Sequence, residues 1–144
     1  MDFIIEPYVG VGPVRFGMPR AEVRRVLGPD TPVTKKLFVS PLARDTFGDT
    51  GVHVYYKEPD VCEAIELFPP AVATLHDQTL LGRPYREVER WLRQLDPSST
   101  LDPTGLRSKH LGVGVYVPSA FKAPNDPVEG VIAFDQGYYE RYGV

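Results

Sequence analysis

Three residues of this 144-residue chain have the types that a cysteine nucleophile requires: Cys62, His53 and Asp49. Catalysis by a thiol needs a base within hydrogen-bond reach of the sulfur and a third group that orients this base. Cys62 and His53 lie in stretches predicted to be neighbouring strands, so their side chains could meet, with Asp49 nearby. However, no nucleophile elbow or oxyanion turn accompanies them, and a half-buried cysteine and histidine explain the same residues. We therefore predict no catalytic residues and no enzymatic activity.

The sequence predicts neither a metal site nor a cofactor. Cys62 is the single cysteine, and the histidines are too far apart to form a His-x-x-x-His pair: His53, His76 and His110. Glu63 and Glu66 are three residues apart on a predicted strand, so they point to opposite faces and cannot act as a pair. The glycines within 10–13 are not followed by the Gly-Lys-Ser/Thr ending of a phosphate-binding loop.

The tyrosines indicate a binding surface. Tyr55 and Tyr116 occupy matching positions in two predicted strands, each on the side opposite the valines. If the valines face the helices, these rings lie on an open sheet face, where exposed aromatic side chains typically mark a protein-binding surface. His53 shares this face, and Tyr138 and Tyr139 near the C-terminus could extend it. The alternative is that a second chain or the C-terminal segment covers the rings for structural reasons.

Two similar segments, 17–27 and 82–92, predict the helices behind these strands. Both contain the pattern Gly-x-Pro-x-x-Glu-Val, at a constant offset of 65 residues. Proline is favourable in the first helical turn, and the glutamate lies where the positive helix end favours a carboxylate. The apolar residues that follow have the i, i+3, i+4 spacing of a buried stripe. Each segment is therefore predicted to be a short amphipathic helix.

Each predicted helix is followed by two stretches with strand character, which we expect to pair as antiparallel hairpins: 51–56 with 63–68, and 112–117 with 129–134. Two further extended stretches, 35–39 and 107–111, could each add a strand ahead of a hairpin. The sequence thus predicts an α+β fold made of two tandem helix-then-antiparallel-hairpin repeats, with the sheet packed on the helices.

We expect these repeats, about 9–70 and 74–144, to form one domain over 1–144. The composition is 42% hydrophobic and 24% charged, which is typical of a globular protein. A formal net charge of −3 argues against a generic nucleic-acid binder. No stretch approaches the ~20 apolar residues of a membrane-spanning helix, and no secretory signal is recognisable. The lone cysteine favours a reducing compartment, so we predict a cytoplasmic protein with no membrane partner.

The segment 10–19, continuing into Glu22-Val23 and Leu27-Gly28, resembles a pattern found in many small bacterial proteins. Some of these resemble immunity proteins of bacterial toxin systems. The helix motif with its strands is also similar to the unit of the outer-membrane assembly lipoproteins (BamE/SmpA). In tandem it resembles the β-lactamase inhibitory protein fold, whose concave sheet grips another protein. The resemblance carries no catalytic residues, and this chain lacks the lipobox of the lipoproteins and the paired cysteines of the inhibitor.

The resemblance implies a non-enzymatic protein-binding domain that acts through an open sheet face, in its most specific form an immunity-type inhibitor of a bacterial toxin. The alternative is a small-molecule-binding protein or enzyme with a cleft between the repeats, near His53 and Cys62. A homodimer whose sheets pack face to face is a third alternative.

Overall fold

The computed structural model describes residues 2–28, 33–35 and 42–143. Within these ranges, thirteen β-strands form two sheets and three α-helices connect or flank them. Along the chain these elements are β1 (Asp2–Glu6), β2 (Gly10–Val11), β3 (Val14–Arg15), α1 (Arg20–Leu27), β4 (Val33–Lys35), β5 (Arg44–Thr46), β6 (Val52–Lys57), β7 (Val61–Leu67), β8 (Val72–Leu75), β9 (Gln78–Thr79), α2 (Tyr85–Leu95), β10 (Thr100–Asp102), β11 (Gly105–Ser108), β12 (Val113–Tyr116), β13 (Gly130–Phe134) and α3 (Tyr138–Arg141). No helix of these parts of the chain is long and apolar enough to cross a membrane.

The larger sheet has eight strands and is antiparallel throughout, in the order β10-β11-β12-β13-β7-β6-β5-β4. Helix α1 precedes the four-stranded meander β4–β7, and α2 precedes the meander β10–β13. The two meanders join along β7 and β13, where Leu67 pairs with Val131. The smaller sheet has the order β3-β2-β1-β8-β9, and its central strands β1 and β8 run parallel.

The predicted α+β class with two helix-then-hairpin repeats is wrong. The protein is mostly β, and its helices are short, with eight, eleven and four residues. The predicted hairpins correspond to β6–β7 and β12–β13, but each pair belongs to a four-stranded meander, and β1–β3 with β8–β9 form a separate sheet. Of the two extended stretches, 107–111 overlaps the end of β11, whereas 36–39 lie outside the described residues.

One reason for this error is the length of several of the missing strands. β2, β3 and β9 have two residues each. Strands this short show no alternation of apolar and polar residues, which is the main strand signal in a sequence. Their pairing follows instead from tight turns and from contacts between distant parts of the chain. The prediction of the fold class consequently gave too much weight to the two helices, whose first turns are easily recognised.

Alternation in β6 separates the two faces of the larger sheet. Val52, Val54 and Tyr56 are buried, whereas His53 and Tyr55 between them are only partly buried and point to the other face. The buried face packs against α2 through the apolar side chains of that helix, of which Tyr85, Val88 and Leu92 are fully buried.

Helix α1 is attached differently, because Val23 is its one buried residue. Asp45 of β5 is fully buried and accepts hydrogen bonds from Arg20 at 3.0 Å, from Arg24 at 2.9 Å and from the Tyr56 hydroxyl at 2.9 Å. Burial opposes ionisation of Asp45, but the hydrogen bonds from Arg24 and Tyr56 and the arginine charges outweigh it and hold the pKa of the carboxyl below its ordinary value. A charged cluster therefore fastens α1 to the sheet.

Candidate functional site

The face of the larger sheet that carries His53 and Tyr55 is called the open face below. Cross-strand pairing places Glu66 beside His53, Ile132 beside Glu66, and Gly114 beside Ile132, so a single row of side chains crosses this face. Arg107 continues the row on β11. Antiparallel sheets commonly leave one face to solvent. Along this row, polar side chains at both ends flank an isoleucine and a glycine at the centre.

A groove of about 320 Å³ lies on the open face above β11, β12 and β13. We refer to it as the sheet groove. Its lining includes Glu66, Phe68, Asp102, Arg107, Gly114, Tyr116, Gly130, Ile132 and Tyr139.

Two glycines create the hollow of the sheet groove. A Cβ atom on Gly130 would lie 2.9 Å from Cε1 of Phe68, and one on Gly114 would lie 3.1 Å from Cγ2 of Ile132. Because neither glycine has a side chain, the backbone forms a low point there, and Phe68 and Ile132 pack directly on it. Tyr116 pairs with Gly130 and stands beside this low point, with 46% of its surface exposed. The groove thus combines an apolar floor with an exposed aromatic wall.

On the open face of β5, β6 and β7, a polar network is present in place of a groove. The Tyr55 hydroxyl donates to Oε1 of Glu66 and accepts from Arg44 at 3.3 Å. Burial raises the pKa of Tyr55, and the adjacent Glu66 charge raises it further. Burial also opposes ionisation of Glu66, but the neighbouring His53 and Tyr55 outweigh it and lower its pKa, so the carboxylate is ionised at neutral pH.

His53 is held beside this network without completing it. Its Nδ1 lies 3.6 Å from Oε1 of Glu66, which is too long for a hydrogen bond, and this buried atom has no hydrogen-bond partner among the residues that the structure describes. The ring packs against Phe68 with a centroid distance of 5.0 Å. His53 therefore links the polar network to the edge of the sheet groove.

The C-terminal helix α3 covers the opposite end of the open face. Tyr138 and Tyr139 pack on Phe134 of β13, with ring centroids 5.5 Å and 4.8 Å away. The guanidinium of Arg107 lies 4.8 Å from the centre of the Tyr139 ring, which is also a wall of the sheet groove. One end of the groove is accordingly built by the C-terminal segment.

Buried carboxylates fasten α3 to the sheet. Glu63 accepts hydrogen bonds from Arg141 at 3.0 Å and from the Tyr142 hydroxyl, and Asp135 accepts from Arg141 and from Lys57 at 2.5 Å. Burial raises the pKa of Glu63 in spite of these donors. These contacts hold Tyr138 and Tyr139 against the sheet.

The five predicted binding residues occupy three different environments. Tyr116 and Tyr139 line the sheet groove, His53 and Tyr55 belong to the neighbouring polar network, and Tyr138 packs on Phe134. The sequence reasoning missed three residues that line the groove: Gly114, Gly130 and Phe68. The glycines were a usable signal, because glycine within a strand pattern often marks a close approach of another group to the backbone.

The structure does not bring Cys62 to His53. Cys62 pairs with Tyr56 and is fully buried on the helix side of the sheet, whereas His53 lies on the open face. Burial raises the pKa of the thiol, so the sulfur is protonated at neutral pH. Asp49 is exposed in the turn before β6. The three residues do not form a catalytic group.

Within the described ranges, no group of three or more histidine, cysteine, aspartate or glutamate side chains has the arrangement of a metal site. Comparison of the chain with protein-family models, with curated proteins and with solved structures finds no match. On the open face, the sheet groove is the feature that offers a partner a preformed hollow.

Proposed function

We propose that this chain is a non-enzymatic protein-binding domain whose sheet groove receives an apolar side chain of a partner protein. The supporting observation is the half-exposed ring of Tyr116 beside the low point at Gly114 and Gly130. Tyrosine offers a large contact area at a low cost in conformational entropy, and an anchor that enters a preformed hollow typically contributes most of the binding energy.

The charges around the sheet groove support the same proposal. Glu66 and Asp102 lie on its rim together with Arg107. A polar rim around an apolar centre is the usual arrangement of a protein interface, and rim charges mainly accelerate association and select the partner. With two carboxylates to one guanidinium, the rim favours a cationic surface around the partner's anchor.

The most specific form of the proposal is an immunity-type inhibitor that occludes the active surface of a bacterial toxin. Its support is the resemblance of the segment 10–28 to a pattern found in small bacterial proteins, some of which resemble immunity proteins, together with a sheet face that has an exposed aromatic anchor. In this form Tyr116 would be buried against the toxin, and the acidic rim would steer a basic toxin surface.

Site-specific photo-crosslinking tests the proposal directly. Tyr116 is replaced by p-benzoylphenylalanine, and the protein is irradiated in cells of its native host. Replacement of Ile4, which is 63% exposed on the smaller sheet, is the matched control. We expect an adduct of discrete mass from position 116 and none of that mass from position 4, with the attached protein identified by mass spectrometry. Identical adducts from both positions would contradict the proposal.

A variant that fills the groove distinguishes specific capture from collision. Gly114→Val places a β-branched side chain on the groove floor, where the strand conformation accepts it, and its Cβ atom alone would lie 3.1 Å from Cγ2 of Ile132. The adduct at 116 should disappear while the unfolding transition remains cooperative. An adduct with the mass of two copies of this chain would instead indicate a homodimer, which sedimentation would establish.

The second candidate is a small-molecule-binding protein that uses the same groove. Its volume of about 320 Å³ lies at the lower end of the range for ligand sites, and His53 with Glu66 supplies polar groups at its edge. Cys62 has no place in this version, because it lies on the other face. Native mass spectrometry of protein purified from its host separates the candidates: a bound small molecule that Gly114→Val releases would favour this second function.

A further inference from the structure

A second groove lies between α2 and the segment 118–127, and its volume is about 770 Å³. We call it the arginine groove, because Arg86, Arg90 and Arg93 line one wall. Phe121 and Pro124 belong to the opposite wall, and Leu101 of β10 contributes to the lining. None of these residues belongs to the sheet groove.

The arginines project from one side of α2. Arg86, Arg90 and Arg93 are separated by four and three residues, which places them on the same helical face. Arg93 lies 3.4 Å from Glu89, whereas Arg86 and Arg90 are exposed and have no ion-pair partner among the described residues. The helical rise separates the backbones of Arg86 and Arg90 by about 6 Å along the axis. Two free guanidinium groups thus stand side by side along the groove.

The position of this charge is unusual for the molecule. The chain as a whole carries a formal net charge of −3, yet the arginine groove contains three arginines and one glutamate, Glu89. Just before α2, Arg83 lies 3.8 Å from Glu87 and also donates to the backbone of Thr79. The groove therefore presents a local positive surface on an acidic protein, and its complement is an anionic group.

The opposite wall is held in place independently of any ligand. The backbone N–H of Arg86 donates to the carbonyl of Pro124 at 2.7 Å, and that of Tyr85 donates to the carbonyl of Asp126 at 2.9 Å. The Ser119 hydroxyl donates to the Asp126 carboxylate at 2.6 Å. On this anchored segment the Phe121 ring is 63% exposed beside the arginines. The groove is consequently preformed, with a charged wall and an aromatic wall.

We propose that the arginine groove binds an extended acidic peptide segment of a partner protein, with carboxylates on alternate residues and an apolar residue against Phe121. Alternate side chains of an extended peptide lie on one side and about 7 Å apart, which matches the spacing of Arg86 and Arg90. Exposed arginine favours carboxylates in bidentate pairs. The groove is long and open, so a peptide segment fits along it. A small inorganic anion would bind the arginines but would leave the apolar wall at Phe121 and Pro124 without a contact.

Fluorescence anisotropy with a labelled peptide tests this proposal. The probe is an eight-residue peptide in which glutamate alternates with threonine and one phenylalanine replaces a threonine; its control has glutamine in place of every glutamate. We expect weak binding of the acidic peptide, at least tenfold tighter than that of the glutamine peptide at low salt. The double variant Arg86→Gln/Arg90→Gln should weaken it by roughly tenfold, since each exposed ion pair contributes modestly.

The matched control removes the same two charges elsewhere. Arg25 and Lys109 are exposed and outside the arginine groove, and the double variant Arg25→Gln/Lys109→Gln should change the affinity by less than about twofold. Phe121→Ala should weaken the acidic peptide and leave the salt dependence unchanged. Equal losses in both double variants, full displacement of the peptide by millimolar inorganic phosphate, or tighter binding of single-stranded RNA would each overturn the proposal.

Discussion

The two halves of the larger sheet are stabilised in opposite ways. In the half β4–β7, α1 is fastened by Arg20 and Arg24 around the buried Asp45. In the half β10–β13, α2 is fastened by buried apolar side chains such as Leu92. The contrast begins at equivalent positions, because the residue after the proline of the helix start is Arg20 in α1 and the fully buried Tyr85 in α2.

The same contrast appears on the open face. Tyr55 in the first half is tied to Glu66, whereas Tyr116 in the second half is exposed beside two glycines. In the half β4–β7, the Tyr55 and Glu66 side chains bind each other on the open face, so this face offers a partner little free surface. In the half β10–β13, apolar packing against α2 holds the strands from the helix side, so their open face can remain uncovered. The difference therefore indicates where binding is possible, and three sets of variants test it.

The largest effect is expected from Asp45→Asn. This change takes the buried carboxylate away from Arg24 and from Arg20, which keeps its ion pair with Asp60, and it presents an amide N–H to both arginines. We therefore expect a loss of roughly 3–5 kcal/mol in the free energy of unfolding. Urea denaturation at pH 7 measures it. Asp49→Asn, in the exposed turn that follows β5, is the control and should change the free energy by less than about 0.5 kcal/mol. Similar values for both variants would contradict the charged attachment of α1.

The pH dependence of this loss follows from the lowered pKa of Asp45. Because the pKa is lower in the folded state than in the unfolded state, the stabilisation is present above the unfolded value of about 3.9 and is lost as the pH falls through the folded value. The difference between wild type and Asp45→Asn should therefore shrink as the pH falls below about 4. The pKa of Glu66 is lowered too, and so is that of Asp96, a buried carboxylate at the end of α2 that accepts a hydrogen bond from the Ser108 hydroxyl at 2.6 Å. The variant therefore retains part of the acid sensitivity.

The next effect concerns the apolar half. Leu92→Ala removes a fully buried side chain and leaves a cavity between α2 and the sheet, which should cost about 3 kcal/mol. In contrast to Asp45→Asn, the difference from wild type should be the same at pH 3 and pH 7. Leu95→Ala, on the exposed end of the same helix, should cost less than about 1 kcal/mol. A strongly pH-dependent loss in Leu92→Ala would remove the distinction between the two halves.

The smallest effect separates the two tyrosines. Tyr55→Phe removes a hydrogen bond to a carboxylate and should cost about 1.5 kcal/mol, whereas Tyr116→Phe should change the stability by less than about 0.5 kcal/mol. Urea midpoints at constant m-value give both numbers. If Tyr116→Phe were as costly as Tyr55→Phe, the Tyr116 hydroxyl would have a structural role and the ring would be a poor candidate for a binding anchor.

The sequence predicted individual elements better than their assembly. The two helices and the two hairpins lie where the patterns placed them, because each has strong local signals: a proline start, an apolar stripe or a Val-rich alternation. The second sheet was missed because the pairing of β1 with β8 joins distant parts of the chain. Neither long-range strand pairing nor a two-residue strand has a local signature.

The candidate site was predictable in part. Alternation with the valines correctly placed Tyr55 and Tyr116 on the open face, but it could not show that Glu66 engages one of them and leaves the other exposed. That outcome depends on which residue lies across the strand: Tyr116 pairs with Gly130, while Tyr55 pairs with Ala64 and reaches Glu66 diagonally. Cross-strand partners are set by register, which depends on turns and on the core together.

The pairing of β7 with β13 at the centre of the sheet has a consequence for biosynthesis. β7 ends at Leu67 and its partner β13 begins at Gly130, so one edge of β7 remains unpaired on the nascent polypeptide until β13 has been translated. At ordinary ribosomal speeds this interval lasts on the order of several seconds. An apolar strand edge exposed for so long is a template for intermolecular association. Folding yield in the cell should accordingly depend on translation speed and on chaperones that shield this edge.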